Sequence, residues 1–554
     1  MRRFSTPRRL LIVAPLLLLL ALAVGACAGA EPTATPTPTP TKAPAVVATP
    51  TPTATPTPTG PKTGGVLKMS WRTGTDVVGL DPLKTAGGTD RGWIFAMCDT
   101  IYAFDKQMKY DPANSLAESF DISADGKTYT FRLREAKFPD GRVMTADDVV
   151  KNFQRYKDPA NKFRYADTLA AIETYTAVDA RTLKVVTKQP EASFITNLAE
   201  RGGCVQQPEK WAEKGDKYIG EPTMIGAFQG SNWQPDVGWK MTKSANYYQQ
   251  GRPYLDAIDM RIVQETRVRL AAVQTGELHG AYLEGEMIPM SLKDTNLNTV
   301  KFVGESFSGY LFNVTKPPMD NINLRKAIIA ALDRDALTQF WEGLYDPPKG
   351  HGLIGPSIPW AYFDMSDVDI PYSEAKAREY LQKSGLTLPV KLDGGSASST
   401  LEAQHNELIQ GYLKKVGIEW SFVTGKTADM NPRQYGFAPN PSEFHFNGMA
   451  AIVLRVDPEA WLRVALYPEA FYNPSKKLPD GVLELFQKAA TTFDVNERAR
   501  LYKEAQRILM DQAWARFPYG YRNAFATFRL NIGGTENFWG GDGQWRLKNL
   551  WLKG

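Results

Sequence analysis

The pattern of apolar and polar residues is clearest in the second half of the chain. The run LPVKL (388–392) predicts a strand, and apolar side chains that recur on one helical face predict a helix over 401–416. This apolar stripe consists of Leu408, Ile409, Tyr412, Leu413 and Val416. Gly417 suits a left-handed helix end, and IEWSFV (418–423) predicts a second strand. The order strand, helix, strand predicts a parallel βαβ unit with a right-handed crossover.

Similar patterns predict strands and helices on both sides of this unit. The run VLKMSW (66–71) predicts the first strand, and Ser373 predicts the start of a helix that Gly385 ends. Two further helical stripes consist of Leu324, Ile328 and Ala331, and of Leu501, Ala505, Ile508 and Leu509. No Pro-, Ser- or Gly-rich linker interrupts residues 65–554. We therefore expect an α/β body whose domains are joined by crossing strands, with the C-terminal part returning to the first domain.

The first 26 residues have the pattern of an export signal. Four arginines precede an apolar run over 10–24, which is shorter than the roughly 20 residues that span a bilayer. Small residues then precede Cys27, and they resemble the lipobox of bacterial lipoproteins. We expect cleavage before Cys27 and lipidation of this residue, which would anchor the protein to the outer face of the cytoplasmic membrane, in the periplasm or at the cell surface. The alternative is a signal anchor that stays in the membrane.

The segment 27–63 is predicted to be a linker between this anchor and the body. Residues 31–63 are almost entirely Pro, Thr and Ala, which cannot bury enough apolar surface to fold and which favour extended polyproline II. At about 3.1 Å per residue the linker reaches roughly 100 Å when fully extended. The alternative is a disordered leader without a spacing role. The threonine density also favours O-glycosylation.

Charge and length exclude some classes of function. The chain has 554 residues with 65 Lys and Arg against 60 Asp and Glu. Four of the basic residues lie in the signal, so the mature chain carries a net charge of +1, too small for a nucleic-acid-binding field. After the signal no apolar run approaches membrane-spanning length, so we expect a soluble body of two or more domains.

Two cysteines remain if Cys27 is lipidated. These are Cys98 and Cys204. Outside the cytoplasmic membrane thiols can be oxidised, so a disulfide between these two cysteines is one interpretation. The other is a pair of separate buried thiols, because free cysteine packs as a small hydrophobic residue.

The sequence offers few residues for catalysis or metal binding. The histidines at 279, 351, 405 and 445 show no paired ligand spacing, and there is no Walker loop. Asp147 and Asp148 are adjacent and are expected in the first turn of a helix, where the helix dipole favours them. We predict no enzyme, no cofactor and no metal. The alternative is a hydrolase whose two carboxylates come from distant residues.

Several specific runs occur in order along the body. They include GGVLKMSW and GLDPLKTA near the start, SLAESFDISADGKTYTFRLREAKFPDGRVMTADDVVKNFQRYKDP (115–159) and YLFNVTKPPMDNINLRKAIIAALDRDAL (310–337). Together they resemble family 5 of the extracellular solute-binding proteins of ABC transporters, the group that receives peptides, nickel and oligosaccharides. The resemblance runs from about residue 64 to near the end. Two further runs are similar to family motifs but depart from them at one position each. IGAFQGSNWQP (225–235) has Ala227 in place of a proline, and RLAAVQTGELHGAY (269–282) has His279 in place of an aspartate.

The resemblance implies a type II periplasmic-binding-protein-like α/β fold of two lobes joined by two crossing segments. Lobe I would comprise about 64–266 and 516–554, with an extra subdomain near 105–215, and lobe II about 267–515. The ligand would be enclosed between the lobes, so hinge closure is the expected motion.

The resemblance also implies the function and the partners. A monomer would capture a peptide or another polar organic solute and deliver it to an ABC import permease. The alternatives are a ligand-binding sensor subunit of the same fold without transport and, more distantly, a secreted hydrolase.

One motif bears on the ligand. In peptide-binding members of the family, an aspartate before a later Asp-Pro pair holds the α-amine of the peptide. Asp457 and its proline match the later pair, but Leu454 occupies the aspartate position and Ala451 occupies the position of a tryptophan. We therefore expect no capture of ordinary peptides through a free α-amine, so that an oligosaccharide or another polar organic solute is a candidate ligand.

Four residues are candidates for ligand binding. Trp71, at the end of the first strand, and Tyr310, in lobe II by the family pattern, are candidates because aromatic walls are typical of ligand clefts. Arg455 would face an anionic or hydroxylated ligand, and Asp457 belongs to the matched motif. The alternative for the aromatic residues is a place in the core, and for Arg455 a place on the surface.

Overall fold

The computed structural model of the protein describes residues 60–553 except 72–77, 86–89, 342, 348–349, 351, 398–399, 437–438, 454–456, 515 and 540–543. At some further strand and helix positions it describes the backbone alone. The predicted signal, Cys27 and the linker up to residue 59 lie outside the described residues.

Strands and helices alternate along the described chain. The strands are β1 (Val66–Trp71), β2 (Ala117–Ile122), β3 (Thr128–Leu133), β4 (Ile172–Asp179), β5 (Thr182–Thr187), β6 (Phe228–Gln234), β7 (Gly238–Lys243), β8 (Ala257–Ile262), β9 (Gly280–Ala281), β10 (Leu297–Phe312), β11 (Tyr345–Asp346), β12 (Val390–Ala397), β13 (Ile418–Gly425), β14 (Phe446–Val453), β15 (Arg516–Arg529), β16 (Ile532–Gly533) and β17 (Trp551–Leu552). The α-helices are α1 (Arg91–Met97), α2 (Ala146–Lys157), α3 (Phe194–Asn197), α4 (Glu209–Lys214), α5 (Thr266–Thr275), α6 (Met287–Lys293), α7 (Ile322–Ala331), α8 (Arg334–Gln339), α9 (Glu374–Ser384), α10 (Thr400–Val416), α11 (Thr427–Tyr435), α12 (Pro458–Ala465), α13 (Val482–Thr491) and α14 (Val495–Asp511).

The largest sheet has nine strands. Their order is β14-β10-β15-β9-β1-β8-β7-β6, with β11 paired to β15. Strand β1 lies parallel to β8 and β9, whereas β10 lies antiparallel to both β14 and β15. Strands β10 and β15 have 16 and 14 residues and run side by side through this sheet. The boundaries of the two lobes stay a prediction.

The predicted βαβ unit is confirmed. Strands β12 and β13 pair in parallel, beginning with Val390 opposite Ile418, and α10 connects them. Gly417 follows α10 in the left-handed conformation, with φ +94°. The predicted first strand is β1, and the predicted helices that contain Leu324 and Leu501 are α7 and α14.

Strand β12 extends beyond the run that predicted it. It continues past Leu392 to Ala397 through residues that carry no large apolar side chain. A Cβ built on Gly395 would lie 2.5 Å from the Phe444 ring and 2.6 Å from the end of Met430. At Gly395 the strand backbone itself therefore packs against these two side chains. A pattern of apolar residues along the sequence does not predict such a contact.

The predicted helix starts are also confirmed. The backbone N–H of Lys376 donates to the Ser373 hydroxyl at 3.2 Å, so Ser373 caps α9, and Gly385 ends that helix with φ +70°. Asp147 and Asp148 lie in the first turn of α2, as expected. Such carboxylates stabilise the amino end of a helix.

A separate antiparallel sheet lies in the predicted subdomain. Its four strands have the order β2-β3-β5-β4, and α2 contacts β4 and β5. The apolar core of the subdomain contains Phe131, Phe153 and Leu183. Most residues of this core therefore come from the subdomain itself.

A disulfide joins a residue just before the predicted subdomain to a residue near its end. Cys98 follows α1, and it is bonded to Cys204 with a Cα–Cα distance of 5.7 Å. Both side chains are buried. Beside them, the Ile101 N–H donates to the Gly203 carbonyl at 3.0 Å. The sequence left open whether these cysteines form a disulfide or stay separate thiols, and the structure shows the disulfide.

None of the helices in the described parts of the chain combines the length and the apolar character that crossing a membrane requires.

Candidate ligand-binding site

Trp71 lies at the carboxyl end of β1, inside the nine-stranded sheet. Its side chain is 1% exposed, and its ring centroid lies 4.8 Å from that of Tyr282 and 4.8 Å from that of Trp545. The indole N–H has no hydrogen-bond partner among the described residues. Ligands of open α/β folds bind at the carboxyl ends of the strands, so this aromatic cluster lies at an end of the sheet where a ligand is expected. A contact between Trp71 and ligand stays a prediction.

Two other candidate residues are described only in part or not at all. Tyr310 belongs to β10, where it pairs with Phe517 of β15, but its side chain lies outside the described residues. Arg455 and Leu454 lie outside them altogether. The backbone of Ala451 belongs to β14 and pairs with Ser308 of β10. The ligand roles of Tyr310 and Arg455 therefore stay predictions.

Asp457 is engaged by groups of the protein itself. Its carboxylate caps α12 by accepting the Glu459 N–H at 3.0 Å. Nη2 of Arg498 donates to both carboxylate oxygens of Asp457, Oδ1 at 2.9 Å and Oδ2 at 3.1 Å. Both side chains are buried. The guanidinium of Arg498 lies 4.9 Å from the centre of the Trp360 ring. The structure thus places Asp457 in a helix cap and a buried ion pair, and its contact with ligand stays a prediction.

Sequence reasoning missed Arg498. It lies 41 residues from Asp457, so no local motif joins the two. A signal was nevertheless present, because Arg498 precedes Leu501 by three residues and Ala505 by seven, on the apolar face of α14. A charged residue at such a position is expected to have a buried partner.

A second ionic group continues along α12. Nε of Arg463 lies 2.7 Å from Oε1 of Glu459, and the Tyr467 hydroxyl donates to the same oxygen at 2.7 Å. Nη2 of Arg463 donates to Oε2 of Glu191, in the loop after β5, at 3.1 Å. Burial raises the pKa of Glu459 to about 7, although Arg463 opposes this shift. Burial also raises the pKa of Glu191. Both carboxyl groups are largely removed from water, since the Glu459 side chain is 0% exposed and that of Glu191 is 6% exposed.

A cavity of about 470 Å³ adjoins this ionic group. It lies between the subdomain and α12 and is lined by Lys188, Glu191, Ser193, Asn197, Ala460 and Arg463, among others. Its volume is within the range of small-molecule sites, and its lining carries charges of both signs.

The three described histidines have different surroundings. Burial lowers the pKa of His405 to about 4 and also lowers that of His279. His445 lies 2.5 Å from the carboxylate of Asp393, while His351 lies outside the described residues. Among the residues that the structure describes, no three His, Cys, Asp or Glu side chains are grouped so that they could hold a metal ion.

The fold and the sequence together define the class of protein. The two-lobe periplasmic binding proteins share this mixed α/β architecture, as the comparisons with solved structures show. Residues 111–442 match the family model described as bacterial extracellular solute-binding proteins, family 5 middle. The chain belongs to family 5 of the bacterial extracellular solute-binding proteins.

Known proteins are similar over most of the chain. The glutathione-binding protein GsiB of Escherichia coli (strain K12) is 30% identical over 459 residues, which cover 79% of this chain and 86% of GsiB. The ABC transporter-associated periplasmic binding protein DppA of Helicobacter pylori, solved with the peptide STSA, has a TM-score of 0.72 and 23% identity, covering 89% of this chain and 99% of DppA. The binding protein AgaA of Agrobacterium tumefaciens R10, solved with agropinic acid, has a TM-score of 0.71 and 22% identity, covering 88% of this chain and 99% of AgaA.

Proposed function

We propose that the protein is a lipid-anchored extracytoplasmic receptor that captures a polar organic solute between two lobes and delivers it to an ABC import permease. Membership of family 5 over residues 111–442 is the observation that carries this proposal. The similarity to GsiB, whose name states that it binds glutathione, supports a small peptide or peptide-like solute as one class of ligand. No chemical conversion of the ligand is part of this function.

The motif at the start of α12 bears on how the ligand is held. A cation that leaves water requires a nearby carboxylate. Leu454 stands where peptide-binding members carry that carboxylate, and the carboxylate of Asp457 already pairs with Arg498. We infer that the ligand is not held through a free α-amine at this position. Peptides held in another way, oligosaccharides and other polar solutes are consistent with this inference.

A thermal-shift screen tests the function and the ligand class together. The panel contains unblocked di- to hexapeptides, the same peptides with acetylated amino termini, glutathione and oligosaccharides. A true ligand at 100 times its dissociation constant adds roughly 2.7 kcal/mol to the free energy of unfolding. We expect that any peptide that stabilises the protein does so equally after acetylation.

The screen has two contrary outcomes. Stabilisation by several unblocked peptides that acetylation abolishes would contradict the inference about the α-amine. Conversion of a stabilising compound by the purified protein, followed by chromatography, would contradict the receptor function.

The lipid anchor has its own test. Cys27→Ser removes the thiol that lipidation requires, so the variant is expected to leave the membrane fraction and to appear among soluble exported proteins. Ala30→Ser is the matched control, because it also introduces a serine close to the predicted lipidation site but keeps the thiol of Cys27, so it should stay in the membrane fraction. Immunoblots of fractionated cells measure both. Retention of Cys27→Ser in the membrane at the wild-type level would contradict lipidation at this residue.

A further inference from the structure

A backbone hydrogen bond and a close backbone–ring contact join the subdomain to the part of the chain predicted as lobe II. The backbone N–H of Ala192 donates to the carbonyl of Ala490 at 2.8 Å. In the turn between β2 and β3, Gly126 lies so close to Phe493 that a Cβ built on it would be 2.4 Å from the ring. We call these contacts, together with the ion pair described next, the seam.

One ion pair of the seam crosses from one side to the other. Oε2 of Glu191, on the subdomain side, accepts from Nη2 of Arg463, on α12, at 3.1 Å. The Ser193 hydroxyl donates to the other oxygen of Glu191 at 2.5 Å. The Glu191 side chain is 6% exposed, whereas that of Arg463 is 47% exposed. The buried carboxylate therefore depends on a cation that the opposite side supplies.

The apolar cores on the two sides of the seam remain separate. The subdomain core contains Phe131 and Phe153, whereas the core beyond the seam contains Leu462, Phe486 and Leu501. Apolar faces resist separation because water cannot compensate for their exposure, whereas water hydrates charged and peptide groups once they part. The cavity of about 470 Å³ beside Glu191 already leaves part of the junction unfilled. The seam can thus open while both cores stay intact.

We propose that the Glu191–Arg463 pair holds the seam closed and thereby sets how strongly the ligand-free protein favours its closed form. The inference rests on the lobe closure of the proposed function. Closing the seam buries all but 6% of the Glu191 side chain, which is disfavoured for a carboxylate without the guanidinium of Arg463. A ligand has to supply only the remaining free energy of closure, so this pair contributes to the apparent affinity.

Hydrogen–deuterium exchange of the ligand-free protein tests the proposal. The Ala192 N–H is bonded across the seam, so its exchange rate reports opening directly. Glu191→Gln and Arg463→Gln are each expected to accelerate this exchange about fivefold, and the double variant is expected to add little to either single change. Arg463→Gln is the stricter case because it leaves the chain around Ala192 unchanged. Since Arg463 also contacts Glu459, the thermal midpoint of each variant is measured to establish that it is folded.

The matched control is Arg500→Gln. Arg500 forms exposed ion pairs with Glu497 and Glu504 within α14, so the same substitution removes a cation away from the seam and should leave the Ala192 exchange rate unchanged. Two results would overturn the proposal. One is an unchanged Ala192 rate in folded Glu191→Gln and Arg463→Gln. The other is wild-type exchange at Ala192 as slow as that of amides within β3, because the seam then never opens separately. The experiment contains no ligand, so a failure of the proposed transport function would not alter its result.

Discussion

Reduction of the Cys98–Cys204 disulfide is expected to lower the free energy of unfolding by about 4 to 5 kcal/mol. The two cysteines are 106 residues apart in sequence, so the bond closes a long loop. In the chain-entropy account, a cross-link of this span restricts the unfolded chain and destabilises it by about this amount. Urea denaturation of the purified body, with and without dithiothreitol, measures the difference.

The double variant Cys98→Ser/Cys204→Ser provides the control. It has no disulfide in either buffer, so its denaturation midpoint should be the same with and without reductant and close to that of the reduced wild type. If the wild-type midpoint is also insensitive to reductant while the thiols are shown to be free, the disulfide does not stabilise the fold as expected.

Asp457→Ala is expected to lower the free energy of unfolding by about 3 to 5 kcal/mol. The substitution leaves the guanidinium of Arg498 buried without its carboxylate, and an uncompensated buried charge has a cost of this size. It also removes the cap of α12, which contributes about 1 kcal/mol. Chemical denaturation of the ligand-free protein measures the total.

Two variants separate these contributions. Asp457→Asn can still accept the Glu459 N–H, so it should lose only the part due to the ion pair. Asp494 caps α14 at an exposed position by accepting the Glu497 N–H at 2.7 Å, so Asp494→Ala should lose only about 1 kcal/mol. A loss in Asp457→Ala no larger than that in Asp494→Ala would show that the buried pair contributes nothing.

The sequence predicted those parts of the fold that local patterns encode. The β12–α10–β13 unit was predictable because apolar residues recur at helical spacing between two apolar runs and Gly417 ends the helix. The far end of β12 was not, because it depends on the close approach of Phe444 and Met430 to Gly395. The family resemblance was necessary to predict two lobes, since no local pattern specifies which distant strands pair.

The candidate site was less predictable because its contacts are long-range. Asp457 and Arg498 are 41 residues apart, and Glu191 and Arg463 are 272 residues apart, so neither pair forms a motif. The aromatic character of Trp71 suggested a cleft wall, but only the structure shows how deeply the ring is enclosed by Tyr282 and Trp545.

The bridge between Cys98 and Cys204 has a consequence for how this architecture can evolve. Their Cα atoms are 5.7 Å apart, so the hundred-odd residues between them leave the rest of the molecule and rejoin it at nearly the same point. Most of the apolar residues that this excursion buries pack against one another. An ancestral gene could therefore have acquired the excursion as a single insertion, without rerouting any strand of the nine-stranded sheet.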